Sequence, residues 1–123
     1  MSRFFIIAAS VSMFLAVALG AFAAHVLNRI LPPERFAVFE VGVRYQIYHG
    51  LALFAVAWLI ERSSPVPASP AGWLFIAGTM LFSFSLYALA LTEMRWCGFV
   101  TPFGGVCFLA GWLWLAWSAW KSI

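Results

Sequence analysis

Residues Glu40–Gly50 read E-V-G-V-R-Y-Q-I-Y-H-G and open the second of four long apolar segments in the chain. They carry most of the polar chemistry that enters any of those segments: Glu40, Arg44, Tyr45, Gln46, Tyr48 and His49. On a helix, Glu40 stands over Arg44 and Tyr45 over His49, both as i,i+4 neighbours. The other apolar segments read as walls around this one. A location follows from such a pattern; a reaction or a substrate does not.

Composition supplies the solvent. Hydrophobic residues make up 65% of the chain and charged residues 9%, against roughly 45–50% and 25% in soluble domains. Mean hydropathy is +0.99. A soluble fold of 123 residues leaves too much of its surface in water to hide that much apolar area. Lipid is the medium for most of the chain, and the bilayer is its first partner. The formal charge of +3 comes from seven scattered Lys and Arg residues, with no basic stripe to follow a phosphate backbone. Nucleic acid is therefore not an expected partner. Asp is absent, so no Ser-His-Asp set can be built and no nucleophile is visible. Two His without paired carboxylates or cysteines make a poor metal site, and no metal or cofactor is expected. Cys97 and Cys107 would lie about 15 Å apart along one helix, too far to bridge; they read as small apolar filler.

The first apolar run, 4–24, is long enough to cross a hydrocarbon core of roughly 30 Å. Arg3 followed by a greasy stretch and Ala21-Phe22-Ala23 also fits a cleavable signal peptide. Its apolar stretch exceeds the usual ~7–15-residue core of such a peptide, which favours a retained helix. Ala8, Ser12, Ala16, Gly20 and Ala24 recur every four residues, a ladder that lets another helix approach closely in lipid. The ladder motivates a homo-oligomer. After His25 comes the longest connection, where Pro32-Pro33 stops any helix. Phe36, Phe39 and Val43 then suit a short amphipathic helix in the interface, about 33–42, turning into the membrane near Gly42. The second crossing spans about 43–60. A Pro-rich turn follows, and the third and fourth crossings span about 71–92 and 98–120. The fold class is an all-α membrane protein, one integral domain over 1–123, with four helices in an up-down-up-down bundle.

Tryptophan placement supports these limits, because Trp prefers the headgroup layer. Trp58, Trp73, Trp117 and Trp120 fall near one face and Trp96 near the other, while Trp112 and Trp114 read as deeper. Arg3, Arg62 and Lys121 share the side of the termini; Arg29, Arg35, Arg44 and Arg95 lie opposite. That near balance does not orient the chain. The short Met-Ser-Arg leader points to cytoplasmic N- and C-termini.

Antiparallel packing brings scattered polar residues to one depth. His25, Tyr45, Gln46, His49, Ser83, Ser85, Tyr87, Thr101, Gly104 and Gly105 form the candidate polar layer, in the half of the bilayer next to the first connection. His49 would sit about 9 Å below that face at helical rise. The layer locks the helices together or lines a ligand or proton site. His49 is expected to be uncharged, to share the layer with His25 and to hydrogen-bond a hydroxyl such as Ser85 or Tyr87. Glu40 and Arg44 read as an interfacial ion pair.

Gly20-Ala21-Phe22-Ala23-Ala24-His25, Tyr45-Gln46-Ile47-Tyr48-His49, Phe82-Ser83-Phe84-Ser85-Leu86-Tyr87, and Thr101-Pro102-Phe103-Gly104-Gly105 with Gly111-Trp112 together resemble one known family. It is the YgdD/YwdK-like family of small bacterial inner-membrane proteins, to which the animal transmembrane protein 256 is related. The resemblance covers nearly the whole chain, with Ala23 and Phe84 standing where that family usually has Gly. It implies a four-helix, multi-pass protein of the bacterial inner membrane whose first segment is retained, and it implies no activity. Two functions remain open: a small binding, accessory or scaffold protein whose small-molecule ligand is unknown, or transport or sensing of protons or a small solute around His49.

Overall fold

The computed structural model describes residues 1–122. Four helices long and apolar enough to cross a membrane follow one another: α1 Ser2–Ile30, α2 Pro33–Ile60, α3 Ser69–Thr92 and α4 Trp96–Ser122. Their ends follow from local chemistry. Leu31, ahead of Pro32, is extended (φ −97°, ψ 143°), as the pre-proline position demands, and ends α1. Pro33 opens α2 where its missing N–H costs nothing, and Pro70 does the same near the start of α3. Glu93 closes α3 in the left-handed region, at φ 57°. The Arg35 guanidinium, at the start of α2, donates to the carbonyls of Ala90 (2.7 Å) and Leu91 (3.1 Å). These are acceptors that the end of a helix leaves unpaired. Arg35 also meets Glu93 at 3.7 Å.

The helices alternate in direction. Ser2 at the start of α1 hydrogen-bonds Glu61 just past α2, and Arg35 joins the start of α2 to the end of α3. At the first of these ends the Pro-rich loop is stapled to α4. Ser64 donates to the Ser118 carbonyl (2.9 Å), Ser118 to that of Val66 (2.6 Å), and the Trp114 indole to that of Pro67 (2.8 Å). Trp114 thus belongs to the loop end and not to the deeper position expected for it. α2 is the central element and touches all three other helices. Half of its most apolar window is buried, against 17% for α1 and for α4.

The separate interfacial helix expected over 33–42 is corrected. That stretch is helical but runs without a break into the second crossing. Gly42 does not turn the chain, and no glycine among the described residues has positive φ. It is instead a point of close approach: a Cβ there would stand 2.6 Å from a Tyr87 ring carbon and 3.1 Å from the Ser83 carbonyl oxygen.

The middle of the small-residue ladder of α1 faces α2 inside the bundle. Ala16 is fully buried, Ser12 meets α2 at Gln46, and Gly20 lies against Val43. Ala24, at the end of the ladder, is exposed. A strict four-residue step drifts around a helix of 3.6 residues per turn, so the buried stripe passes to Ala23 and Leu27. Ala8 and Ser12 stay half-buried and line a groove on the surface of the bundle.

Buried side chains gather into two apolar clusters. One joins Phe5, Leu53, Val56, Phe75 and Phe108 near the loop end; the other joins Leu27, Phe39, Val43 and Tyr87 at the opposite end. Gln46 and His49 of α2, and Ser83 and Ser85 of α3, fall between them in chain order. The polar residues thus occupy the waist of the bundle. α2 begins ten residues earlier than expected, which puts His49 roughly 24 Å along it from Pro33.

Candidate functional site

His49 is 3% exposed and held on every side. Its ring stacks on Phe108 (centroids 3.5 Å apart, planes 5° apart) and leans on Phe75 at 5.4 Å. Nδ1 lies 2.7 Å from the Tyr45 carbonyl oxygen, one helical turn back. The Trp112 indole N–H donates to Nε2 at 3.0 Å. An indole nitrogen only donates, so Nε2 must be an unprotonated acceptor and the ring proton sits on Nδ1. This is the neutral imidazole, with both nitrogens used. The expected hydroxyl partner is corrected: His49 bonds a backbone carbonyl and an indole, and neither Ser85 nor Tyr87.

Those hydroxyls serve other pairs. Tyr87 donates to Gln46 Oε1 at 2.6 Å, and Gln46 Nε2 donates to the Ser12 carbonyl at 2.9 Å. One fully buried amide on α2 thereby ties α1 to α3. Contacts of this kind contribute about 0.6 kcal/mol on average in membrane proteins, with a tail to about 1.7. Ser85 and Thr101 share a hydrogen bond of 2.6 Å between α3 and α4. Ser83 is fully buried and its hydroxyl has no partner among the described residues. It ends a π-helical turn over Thr79–Ser83, a local widening of the kind often found where helices serve a site. Gly104 sits directly against that turn, where a Cβ would overlap the Phe82 backbone nitrogen and stand 2.8 Å from the Leu81 carbonyl carbon. Gly105, next in sequence, faces open space with only Phe82 at 4.0 Å.

The expected single layer is thus three separate links: Ser12–Gln46–Tyr87, His49–Trp112 and Ser85–Thr101. His25 joins none of them. It lies in a second π-helical turn, Ala23–Leu27, that buries Ala23 and Leu27 and leaves His25 exposed. Glu40 and Arg44 do not form the expected ion pair; the pair found among the described residues is Arg35–Glu93. Both Glu40 and Arg44 are exposed and flank a shallow groove beside Gly20 and Val43, and helical spacing alone does not hold two such side chains together. Sequence reasoning missed Ser12 and Trp112 as polar partners and Phe108 as the stacking ring. Only the need of Gln46 and His49 for partners in lipid hinted that any existed.

Beside His49 a groove opens between α2 and α4, with a volume of about 630 Å³. Tyr45, Tyr48, Phe82, Gly105 and Leu109 line it, with Trp112 and the edge of His49 below. Among the described residues, His, Cys, Asp and Glu do not come together in any group of three.

The family model described as "Protein of unknown function (DUF423)" matches residues 19–105. The chain belongs to this family. It is 42% identical to the UPF0382 membrane protein YwdK of Bacillus subtilis, over 98% of this chain and 99% of that protein. To the UPF0382 inner membrane protein YgdD of Escherichia coli it is 44% identical, over 90% of this chain and 85% of that one. The UPF0382 membrane protein SH2409 of Staphylococcus haemolyticus is 41% identical over 98% of each chain. No solved structure matches. Relatives named as membrane and inner membrane proteins, together with four spanning helices, make this an integral membrane protein.

Proposed function

We propose that the protein acts by binding, as a small accessory or scaffold of the bacterial inner membrane, with both termini in the cytoplasm. The closed interior carries this reading. Gln46, His49, Ser85, Tyr87 and Thr101 all spend their polar atoms on one another, on Ser12, on Trp112 or on nearby carbonyls. A proton or solute path through the bundle needs groups that face a wet cavity, and this waist is packed with Phe75 and Phe108 instead. What the molecule offers outward is a lipid-facing surface, with Phe14 and Val17 of α1 72% and 65% exposed.

In proteoliposomes the purified protein is expected to add no proton flux over protein-free vesicles. Flux above that background, reduced by His49→Phe, would overturn the binding reading in favour of transport. A photoreactive residue at position 14 is expected to give a discrete protein adduct in native membranes. Adducts with lipid alone, there and at other lipid-facing positions, would remove the accessory role. For orientation, alkaline phosphatase fused at the C-terminus is expected to be inactive, and an active fusion would reverse the topology.

A further inference from the structure

The groove between α2 and α4 carries two exposed phenols. Tyr45 and Tyr48 are 36% and 49% exposed. Among the described residues neither phenol oxygen has a hydrogen-bond partner, although Tyr87, the third tyrosine, has one. A phenol at the headgroup layer can reach water. Tyr48 stands one turn further in than Arg44, the last charged residue before the apolar part of α2, where an unpaired donor is costly. The two rings meet edge to face at 5.5 Å, and Tyr45 leans on Phe82 at 4.8 Å. The groove is thus walled by aromatic faces and carries two donors on adjacent turns. Its volume of about 630 Å³ lies within the roughly 300–1,000 Å³ of small-molecule sites, which combine apolar walls with a few placed polar groups.

We propose that this groove binds an isoprenoid quinone, entering sideways from the bilayer with its ring against Tyr45, Phe82 and Leu109. The two phenols donate to its carbonyl oxygens, and the isoprenoid tail lies along the apolar faces of α2 and α4. The inference rests on the reading that the chain works by binding. Three features select the occupant. It must be soluble in lipid, because the groove opens there. It must carry acceptors, because Tyr45 and Tyr48 offer donors and an acyl chain would leave them unmet. It must be flat, because the lining is aromatic and stacks. A second copy of the chain fits less well, since α4 exposes hydrocarbon side chains such as Phe99, Phe103, Val106 and Leu113, which bring no acceptor.

The test is saturation binding of a radiolabelled short-chain ubiquinone to the protein in phospholipid nanodiscs. Wild type is expected to bind one molecule saturably against the excess of lipid. Tyr45→Phe/Tyr48→Phe, which keeps the rings and removes the donors, should weaken binding about tenfold or more, the size expected from losing two hydrogen bonds. Gly105→Leu should abolish binding by filling the groove without disturbing the bundle, its fold being checked by an unchanged thermal transition. Absence of saturable binding to wild type would overturn the proposal, as would equal affinity in the double Phe variant, which marks non-specific partitioning. A dimer that forms in wild type and is lost in Gly105→Leu would assign the groove to a second copy and also overturn it. Failure of quinone binding alongside a protein adduct at position 14 removes only the quinone and leaves the accessory reading intact.

Discussion

Gly104→Leu is expected to eliminate folded protein, with no monodisperse peak on fluorescence-detected size-exclusion chromatography in mild detergent. A glycine within a helix ordinarily costs about 1 kcal/mol relative to alanine, so filling one should help. Here the sign reverses. The first atom added at Gly104 overlaps the Phe82 backbone nitrogen and approaches the Phe82 Cβ to 2.7 Å and the Leu81 carbonyl carbon to 2.8 Å. The first and last of these are backbone atoms and cannot rotate aside. Relief requires α3 and α4 to separate, which also pulls Phe108 from Gly78, Phe75 from Gly111 and Ser85 from Thr101. Overpacking by single methylenes costs about 1–3 kcal/mol where side chains can adjust, and this position lacks that freedom. Even Gly104→Ala should lower the thermal midpoint. Gly105→Ala, one residue along in open space, should leave it unchanged or raise it slightly. A tolerated Gly104→Leu would mean that the α3–α4 seam is not where the structure places it.

His49→Ala should be the most damaging single truncation at the waist. The ring fills the space between Phe75, Phe108 and Trp112, and its loss leaves a cavity where aromatic-to-Ala changes in cores cost about 3–5 kcal/mol. It also strands the Trp112 indole N–H without an acceptor. His49→Phe restores the volume and the stack on Phe108 but not the hydrogen bond, so it should cost only about 1–2 kcal/mol. Thermal or steric-trapping unfolding in detergent would read both, and the expected order is wild type, then His49→Phe, then His49→Ala. Equal stability of the two variants would show that the hydrogen bonds, and not the packing, hold this centre. Full stability of His49→Ala would contradict the stacked geometry itself.

Glu40–Gly50 was readable as the centre of the molecule because lipid makes polar residues conspicuous. Gln46 and His49 stand out in an apolar segment, and helices in a bilayer turn such groups inward. In the structure Gln46, Ser85, Tyr87 and Thr101 carry hydrogen bonds between helices. Their partners were not readable in the same way. His25 carries the same chemistry as His49, yet the π-helical turn at Ala23–Leu27 exposes it. Ser12 looked like one rung of a packing ladder and proves to hold Gln46. Trp112 read only as a ring deeper than the headgroup layer and proves to donate to His49.

By itself, the sequence determined the medium, the four crossings and their alternation, because each depends on composition and on segment length against the bilayer. The break at Pro32-Pro33 follows from the sequence too, because proline acts through its own ring and missing N–H. Continuity of α2 through Gly42 was decided only by tertiary structure, since a glycine at a close crossing and a glycine at a bend are the same letter. So were the exposure of His25 and the pairing of His49 with Trp112. Each turns on a π-helical turn or a helix rotation of a few tens of degrees, set by which side chains fit between neighbouring helices and not by any residue's own preference.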